Sequence, residues 1–258
     1  MKRKLKRFLN NFKRSTLDIE PTFVDIPVKG KKFAKLKILH LSDLHINKKT
    51  SSEEITSFIE TVNKQKVDFA VITGDIIDCR VSKIKQKLFL FKNIRHRVYF
   101  VSGNHDVFYG YKELLEVLDQ CGVEVLDNRF SYLVFKGNKY ILAGLGDRFS
   151  KYFKIKRDEK ALVKEIQKKD SFKIFLAHQP KDYVYAKKAK AALFLCGHTH
   201  GGQIYPFHLL VRLVQPFLSG LHFVKGMAVY VSPGLGTWGI RYRFFANSEM
   251  TIIRLIKK

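Results

Sequence analysis

A chain of 258 residues with 46% hydrophobic side chains fits one α/β domain with a real core, or at most two small domains, and is too apolar for wholesale disorder. The three cysteines, Cys79, Cys121 and Cys196, show no CxxC or zinc-knuckle spacing, which argues against a disulfide framework and reads as reduced thiols of an intracellular protein. The 48 Lys plus Arg against 23 Asp plus Glu, a formal +25, predict attraction to polyanions such as an anionic membrane, nucleic acid or a phosphorylated substrate, although a general bias toward Lys accounts for much of the excess equally well.

Residues 1–14 hold seven basic side chains and no acidic one. Leu5, Phe8, Leu9 and Phe12 fall at i, i+3, i+4 and i+7, the stripe of a basic amphipathic helix that can lie in an anionic leaflet or pack on its own domain. Residues 1–34 are read as this segment and a lead-in strand, and residues 35–258 as the main domain. No signal-peptide core follows, and no run approaches the roughly 20 apolar residues of a spanning helix. The expected location is the cytoplasm, with peripheral contact at the inner membrane.

Apolar runs then alternate with helical patterns, as in layered α/β folds. Leu36–Leu41 reads as a strand ending at Ser42-Asp43, and residues 52–65 as a helix. Phe69–Thr73 is a buried strand ending at Gly74-Asp75, followed by a helix over 81–93. Val98–Val101 is a strand ending at Gly103-Asn104, and 111–120 is a helix. Tyr132–Phe135 and Tyr140–Ala143 form a hairpin around Gly137-Asn138. A helix over 158–169 precedes the strand Phe172–Ala177, which ends at His178, and the strand Ala192–Cys196, which ends at Gly197-His198. Residues 204–224 are apolar but interrupted by His208, Arg212, Gln215, Pro216, Gly220 and His222. They read either as a lipid-facing lip beside the site or as core packing. Val229–Ser232 and Met250–Ile256 are late strands.

Strand after strand ends in a loop carrying Asp, Asn or His, and open α/β sheets bind ligands just outside the carboxyl ends of their strands. The candidates in order are Asp43 and His45, Asp75, Asn104 and His105, His178, and His198 with His200. Carboxylate oxygens and imidazole nitrogens together suit Mn²⁺, Fe or Zn²⁺. Each fragment alone is weak; the ordered set is specific.

The fragments Ser-Asp-Leu-His, Thr-Gly-Asp, Gly-Asn-His-Asp, Ala-His-Gln-Pro and Gly-His-Thr-His resemble the motifs of the calcineurin-like metallophosphoesterase superfamily. Gly-His-Thr-His-Gly-Gly-Gln and Ser-Pro-Gly-Leu-Gly-Thr (232–237) are similar to a bacterial branch of small phosphodiesterases, some of which cleave a lipid A precursor. Other members of that branch carry an N-terminal membrane segment or export signal, which is not expected from this sequence. The resemblance implies a four-layer αββα sandwich with two divalent metals, Mn²⁺ favoured, at the C-terminal edge of the strands. It gives one metal Asp43, His45 and His200, the other Asn104, His178 and His198, and makes Asp75 the bridge. It implies water activated between the two cations. His105 is then the non-ligand histidine that stabilises the phosphoryl group or protonates the leaving group. Asp106 is expected to orient that imidazole.

Arg80, Arg241 and Arg243 lie near strand ends and are candidate phosphate clamps, or ordinary surface arginines. The favoured substrate is UDP-2,3-diacylglucosamine, cleaved to UMP and lipid X at the inner membrane surface. The alternative is a broad-specificity phosphodiesterase or phosphatase for soluble or cyclic nucleotides. No interleaved aromatic and basic stripe marks a nucleic-acid partner, the intact candidate set opposes a non-catalytic scaffold, and a monomer is the default.

Overall fold

The computed structural model describes residues 12–14, 17, 19–28 and 35–257. The chain forms strands β1 (Phe12–Arg14), β2 (Thr22–Val28) and β3 (Lys37–Leu41), then helix α1 (Ser52–Lys64), β4 (Phe69–Thr73), α2 (Lys85–Leu88) and β5 (Val98–Val101). Next come α3 (Asn104–Gln120), β6 (Glu124–Val125), β7 (Arg129–Phe135), β8 (Asn138–Leu145), α4 (Glu159–Ile166), β9 (Phe172–Ala177) and α5 (Tyr183–Lys188). The last part holds β10 (Leu193–Cys196), α6 (His208–Val214), β11 (Gly220–Val224), β12 (Met227–Val231), β13 (Tyr242–Phe244) and β14 (Thr251–Lys257).

Two six-stranded sheets result, ordered β2-β14-β3-β4-β5-β6 and β11-β12-β10-β9-β8-β7. Within the first, β3, β4, β5 and β6 run parallel; within the second, β8, β9, β10 and β12 do. A parallel strand covered on both faces is apolar at nearly every position, which is why Phe69–Thr73 and Phe172–Ala177 are buried throughout.

Alternate side chains divide between layers, as the two-residue repeat of a strand requires. Ile38, Phe69, Val71 and Tyr99 meet Leu142, Ile174, Leu176 and Leu195 between the sheets. Leu39, Ala70, Ile72 and Phe100 pack outward on Ile55, Phe58 and Val62 of α1 and on Leu114, Val117 and Leu118 of α3. Ile141, Phe175, Phe194 and Val229 pack on α4 and α5 through Leu162, Ile166 and Ala186. The expected four-layer αββα sandwich is therefore the architecture, and the loops after β3, β4, β5, β9 and β10 meet at one edge.

Several elements depart from expectation. The helix predicted over 81–93 is broken into a 3₁₀ turn, Val81–Lys83, the single turn α2, and a second 3₁₀ stretch, Phe89–Asn93. Helix α3 starts at Asn104 rather than at 111; Gly110, at φ 141°, kinks it where the sequence suggested a start. Phe12–Arg14 is a strand paired antiparallel with β13, not the end of a helix. The remainder of the amphipathic stripe, Leu5, Phe8 and Leu9, lies outside the described residues. Residues 204–224 divide: no residue of α6 is buried, whereas Phe217, Leu221 and Val224 are partly buried against the core. No helix among the described residues is long and apolar enough to cross a membrane.

Candidate metal centre

The candidate ligands sit on tight loops that force unusual backbone. Asp43, His45, Asp75, His198 and His200 all have left-handed φ, between 49° and 74°. Single residues rarely adopt that region without compensation. Here hydrogen bonds across the edge hold the loops: Asp43 N–H donates to Gly74 O at 3.0 Å and His45 N–H to Asp75 O at 3.0 Å. Glycine is required where backbone approaches a carboxylate. A Cβ on Gly197 would overlap Ser42 Oγ and Asp43 Oδ2, and one on Gly103 would overlap Asp75 Oδ1.

Two groups of donors lie side by side. In the first, His45 Nε2 and His200 Nε2 are 3.0 Å apart, and Asp43 Oδ1 is 3.3 Å from His200 Nε2 and 3.9 Å from His45 Nε2. In the second, His178 Nε2 is 3.1 Å from Asn104 Oδ1, 3.2 Å from His198 Nδ1 and 3.2 Å from Asp75 Oδ2. The same Asp75 Oδ2 is 3.8 Å from His45 Nε2, so this carboxylate lies between the groups. Asp43, His45, Asp75, His178 and His200 are buried.

Electrostatics shows what this donor set lacks. Burial drives His200 down to about 4. Burial, aided by the neighbouring His178, drives His198 down to about 3. Both rings are therefore neutral near pH 7 and offer nitrogen lone pairs. Burial would raise Asp43, but His200, His178 and His45 outweigh it and hold the carboxyl well below its usual range. For His178, burial is outweighed by Asp75, which lifts the imidazole well above its usual value. Buried carboxylates need a positive partner, which a bound divalent cation would supply. Imidazole nitrogens, an amide oxygen and two carboxylates converging this closely fit divalent metal ions. The Nδ1–H of His178 donates to Thr73 O at 2.7 Å, which leaves Nε2 toward the centre.

His105 stands beside both groups. Its N–H donates to Asp75 Oδ1 at 2.8 Å, and its ring packs edge-on against His45 at 4.6 Å between centroids. The carboxylate on its ring is Asp78, with Oδ1 2.8 Å from His105 Nδ1. Burial would lower this imidazole, but the Asp78 hydrogen bond and the charge of Asp75 raise it. Asp78 escaped the sequence reading; the spacing Gly74-Asp75-Ile76-Ile77-Asp78 was the available signal.

Asp106, expected to orient His105, is committed elsewhere. Its carboxylate accepts from the backbone N–H groups of Gly103, Asp75, Ile76 and Ile77 at 2.7–3.2 Å. It caps α3 and ties the Asp75 loop to it. Burial, then the Asp75 charge, pushes it up to about 7.

The three arginines separate. Arg243 is buried and donates to the carbonyls of His200, Gly234 and Gly236, with Nη2 3.2 Å from His200 Nδ1. It ties the Ser232–Thr237 loop to the His200 loop, and its guanidinium is used up in doing so. Arg241 lines a separate small cavity beyond His45, with Asn47, Thr50 and Thr237. Arg80 is exposed at the start of the 3₁₀ turn.

A cleft of about 230 Å³ opens over the centre. One wall carries Asp75, Asn104, His105, His198 and His200; the opposite wall is apolar, with Phe207, Val211 and Val214 from α6 and its approach, and Trp238. A groove of about 280 Å³, lined by Ile204, Phe207, Trp238 and Ile240, shares Gly202, Phe207 and Trp238 with the cleft. Trp238 and Ile240 were not singled out in the sequence, because they lie outside the apolar run 204–224.

Comparison with known proteins agrees with this geometry. The family model described as calcineurin-like phosphoesterase matches residues 36–202. An uncharacterized metallophosphoesterase of Helicobacter pylori strain J99 is 37% identical over 92% of this chain, which spans 65% of that relative's length. A Danio rerio protein named "Transmembrane protein with metallophosphoesterase domain" is 31% identical over 91% of this chain and 57% of its own. Among solved structures, the NAD nucleotidase of Haemophilus influenzae superposes with a TM-score of 0.53 at 15% identity, covering 78% of this chain and 45% of that one, a likeness of fold. The matched segment carries every strand-end Asp, Asn and His of the centre, and this chain belongs to the calcineurin-like phosphoesterase family.

Proposed function

We propose that the protein hydrolyses the pyrophosphate bond of a lipid-linked nucleotide, with UDP-2,3-diacylglucosamine as the favoured substrate and UMP and lipid X as products. The observation that carries this reading is the apolar groove beside the polar cleft, the two sharing Gly202, Phe207 and Trp238 in their linings. A substrate with a phosphate at one end and acyl chains at the other matches both surfaces.

In this reading Asp43, His45 and His200 would hold one divalent ion and Asn104, His178 and His198 the other, with Asp75 placed to serve both. Mn²⁺ is favoured by the mixture of oxygen and nitrogen donors, with Fe or Zn compatible. When bound, such a pair neutralises phosphoryl oxygens and lowers the pKa of water. The chain's own residues do the rest. Asp78 accepts from His105 Nδ1–H and raises the imidazole, which favours a proton on Nε2 for the leaving phosphate oxygen. Asp106 fixes the loop that presents Asp75, and the apolar wall excludes water from the acyl side.

The test is incubation of the Mn²⁺-loaded protein with UDP-2,3-diacylglucosamine, followed by detection of UMP. Release of UMP in step with lipid X is expected. No UMP, together with detergent-independent turnover of a soluble diester, would transfer the assignment to a soluble-nucleotide phosphodiesterase.

A further inference from the structure

The outer surface around the cleft mouth has a composition that a water-facing surface does not need. On α6, Leu209, Leu210 and Leu213 are 53%, 56% and 82% exposed, and none of them lines the cleft. The apolar surface continues from this helix. Phe207 and Trp238 rings lie 6.2 Å apart, and Tyr205 and Phe245 rings 6.0 Å apart. Single exposed apolar residues are ordinary; a contiguous patch beside a binding cleft marks an interaction surface.

Charge says what covers it. From residue 183 to residue 248, the segment that builds this patch, the chain contains no Asp or Glu, yet it contains Arg212, Lys225 and Arg241. The basic N-terminal segment ends at the same place. Its last three residues are β1, which pairs with β13 in the register Phe12↔Phe244 and Arg14↔Tyr242. Residue 204 bridges to Phe244 from the other side. Phe12–Arg14 and Ile204 thus both pair with the one short strand β13.

We propose that this face docks on an anionic phospholipid bilayer, with α6 and the Trp238–Ile240 loop set into the headgroup region and the basic residues on lipid phosphates. Exposed apolar and aromatic side chains in a segment whose only charged residues are cations are what an interfacial surface requires. Two copies of this chain would bring two carboxylate-free basic faces together, so self-association is disfavoured by the same charge that favours an anionic leaflet. Docking places the mouth of the cleft at the lipid surface, because Phe207, Val211 and Val214 belong to both. The inference deepens the lipid-substrate reading without depending on it.

The experiment is sedimentation of the full chain with vesicles of phosphatidylcholine alone or phosphatidylcholine containing phosphatidylglycerol, without substrate. Binding to the anionic vesicles that weakens with salt is expected. The double variant Leu210→Ser, Leu213→Ser should bind about tenfold or more weakly while keeping wild-type turnover of a soluble ester, since both side chains are exposed and outside the cleft. Three results overturn the proposal: no sedimentation with anionic vesicles, equal binding by wild type and variant, or a wild-type dimer that the leucine substitutions dissociate without any vesicle binding. Docking without cleavage of UDP-2,3-diacylglucosamine would overturn the substrate reading alone. Cleavage of detergent-dispersed substrate without docking would overturn this proposal alone.

Discussion

Asp78→Asn isolates the contribution of one carboxylate to catalysis. Asp78 Oδ1 lies 2.8 Å from His105 Nδ1, with the two side chains 19% and 24% exposed. Asparagine keeps the shape and an acceptor but removes the charge. A hydrogen bond to a charged group contributes about 1.5–3 kcal/mol, and partial exposure moves the expectation toward the lower end. As about 1.4 kcal/mol is tenfold in rate, the substitution should lower kcat by roughly 10- to 100-fold and leave KM nearly unchanged. His105→Ala, which removes the proton donor itself, should cost roughly 10²–10⁴-fold. The assay is hydrolysis of a soluble activated diester by Mn²⁺-loaded protein, with metal content measured on the same samples. Asp78 is also 3.9 Å from His45 Nδ1, so a double-mutant cycle is needed. If Asp78 acts through His105, adding Asp78→Asn to His105→Ala should change little. An equal loss in the His105→Ala background, or loss of metal from Asp78→Asn alone, would refute the reasoning.

Other substitutions probe the centre's construction. Asp75→Asn should lose metal and turnover together, because a neutral amide replaces the carboxylate between the two donor groups; metal analysis of the purified variant checks it. Gly197→Ala should lower metal affinity and destabilise the fold by about 1–3 kcal/mol, since the new methyl would overlap Ser42 and Asp43; calorimetry with and without Mn²⁺ reads both. Arg243→Met should lower the melting temperature, as the carbonyls of Gly234 and Gly236 lose a buried donor, whereas Arg241→Met should leave it near wild type. Chelation should reversibly lower the melting temperature, and the unfolding free energy by about 2.7 kcal/mol relative to metal held at a hundred times its dissociation constant.

Much of the centre is legible in the sequence because its residues stand at the carboxyl ends of doubly buried strands, where the apolar run stops and one polar residue must follow. Phe69–Thr73 before Gly74-Asp75 and Phe172–Ala177 before His178 show this most plainly. What is not legible depends on contacts between distant parts of the chain. A charged side chain is read as exposed by default, so Arg243 passed as a phosphate clamp when it is a buried tie between two loops. Asp106 stands next to His105 in sequence, yet an α-helix turns successive residues about 100° apart, and its carboxylate points into the Asp75 loop. Asp78, three residues past Asp75, reaches the ring instead. The apolar run 204–224 gave no periodicity that could separate an exposed lip from core, and only its packing decides. β1 and β13, three residues each, are too short to show a pattern at all.

The central claim is that two cations share Asp75. An anomalous difference map from a crystal of the protein soaked in Mn²⁺ tests it directly. The account predicts two peaks flanking the Asp75 carboxylate, one among Asp43, His45 and His200 and the other among Asn104, His178 and His198. A single peak, or none, with Asp75 turned away from both groups of histidines would contradict it.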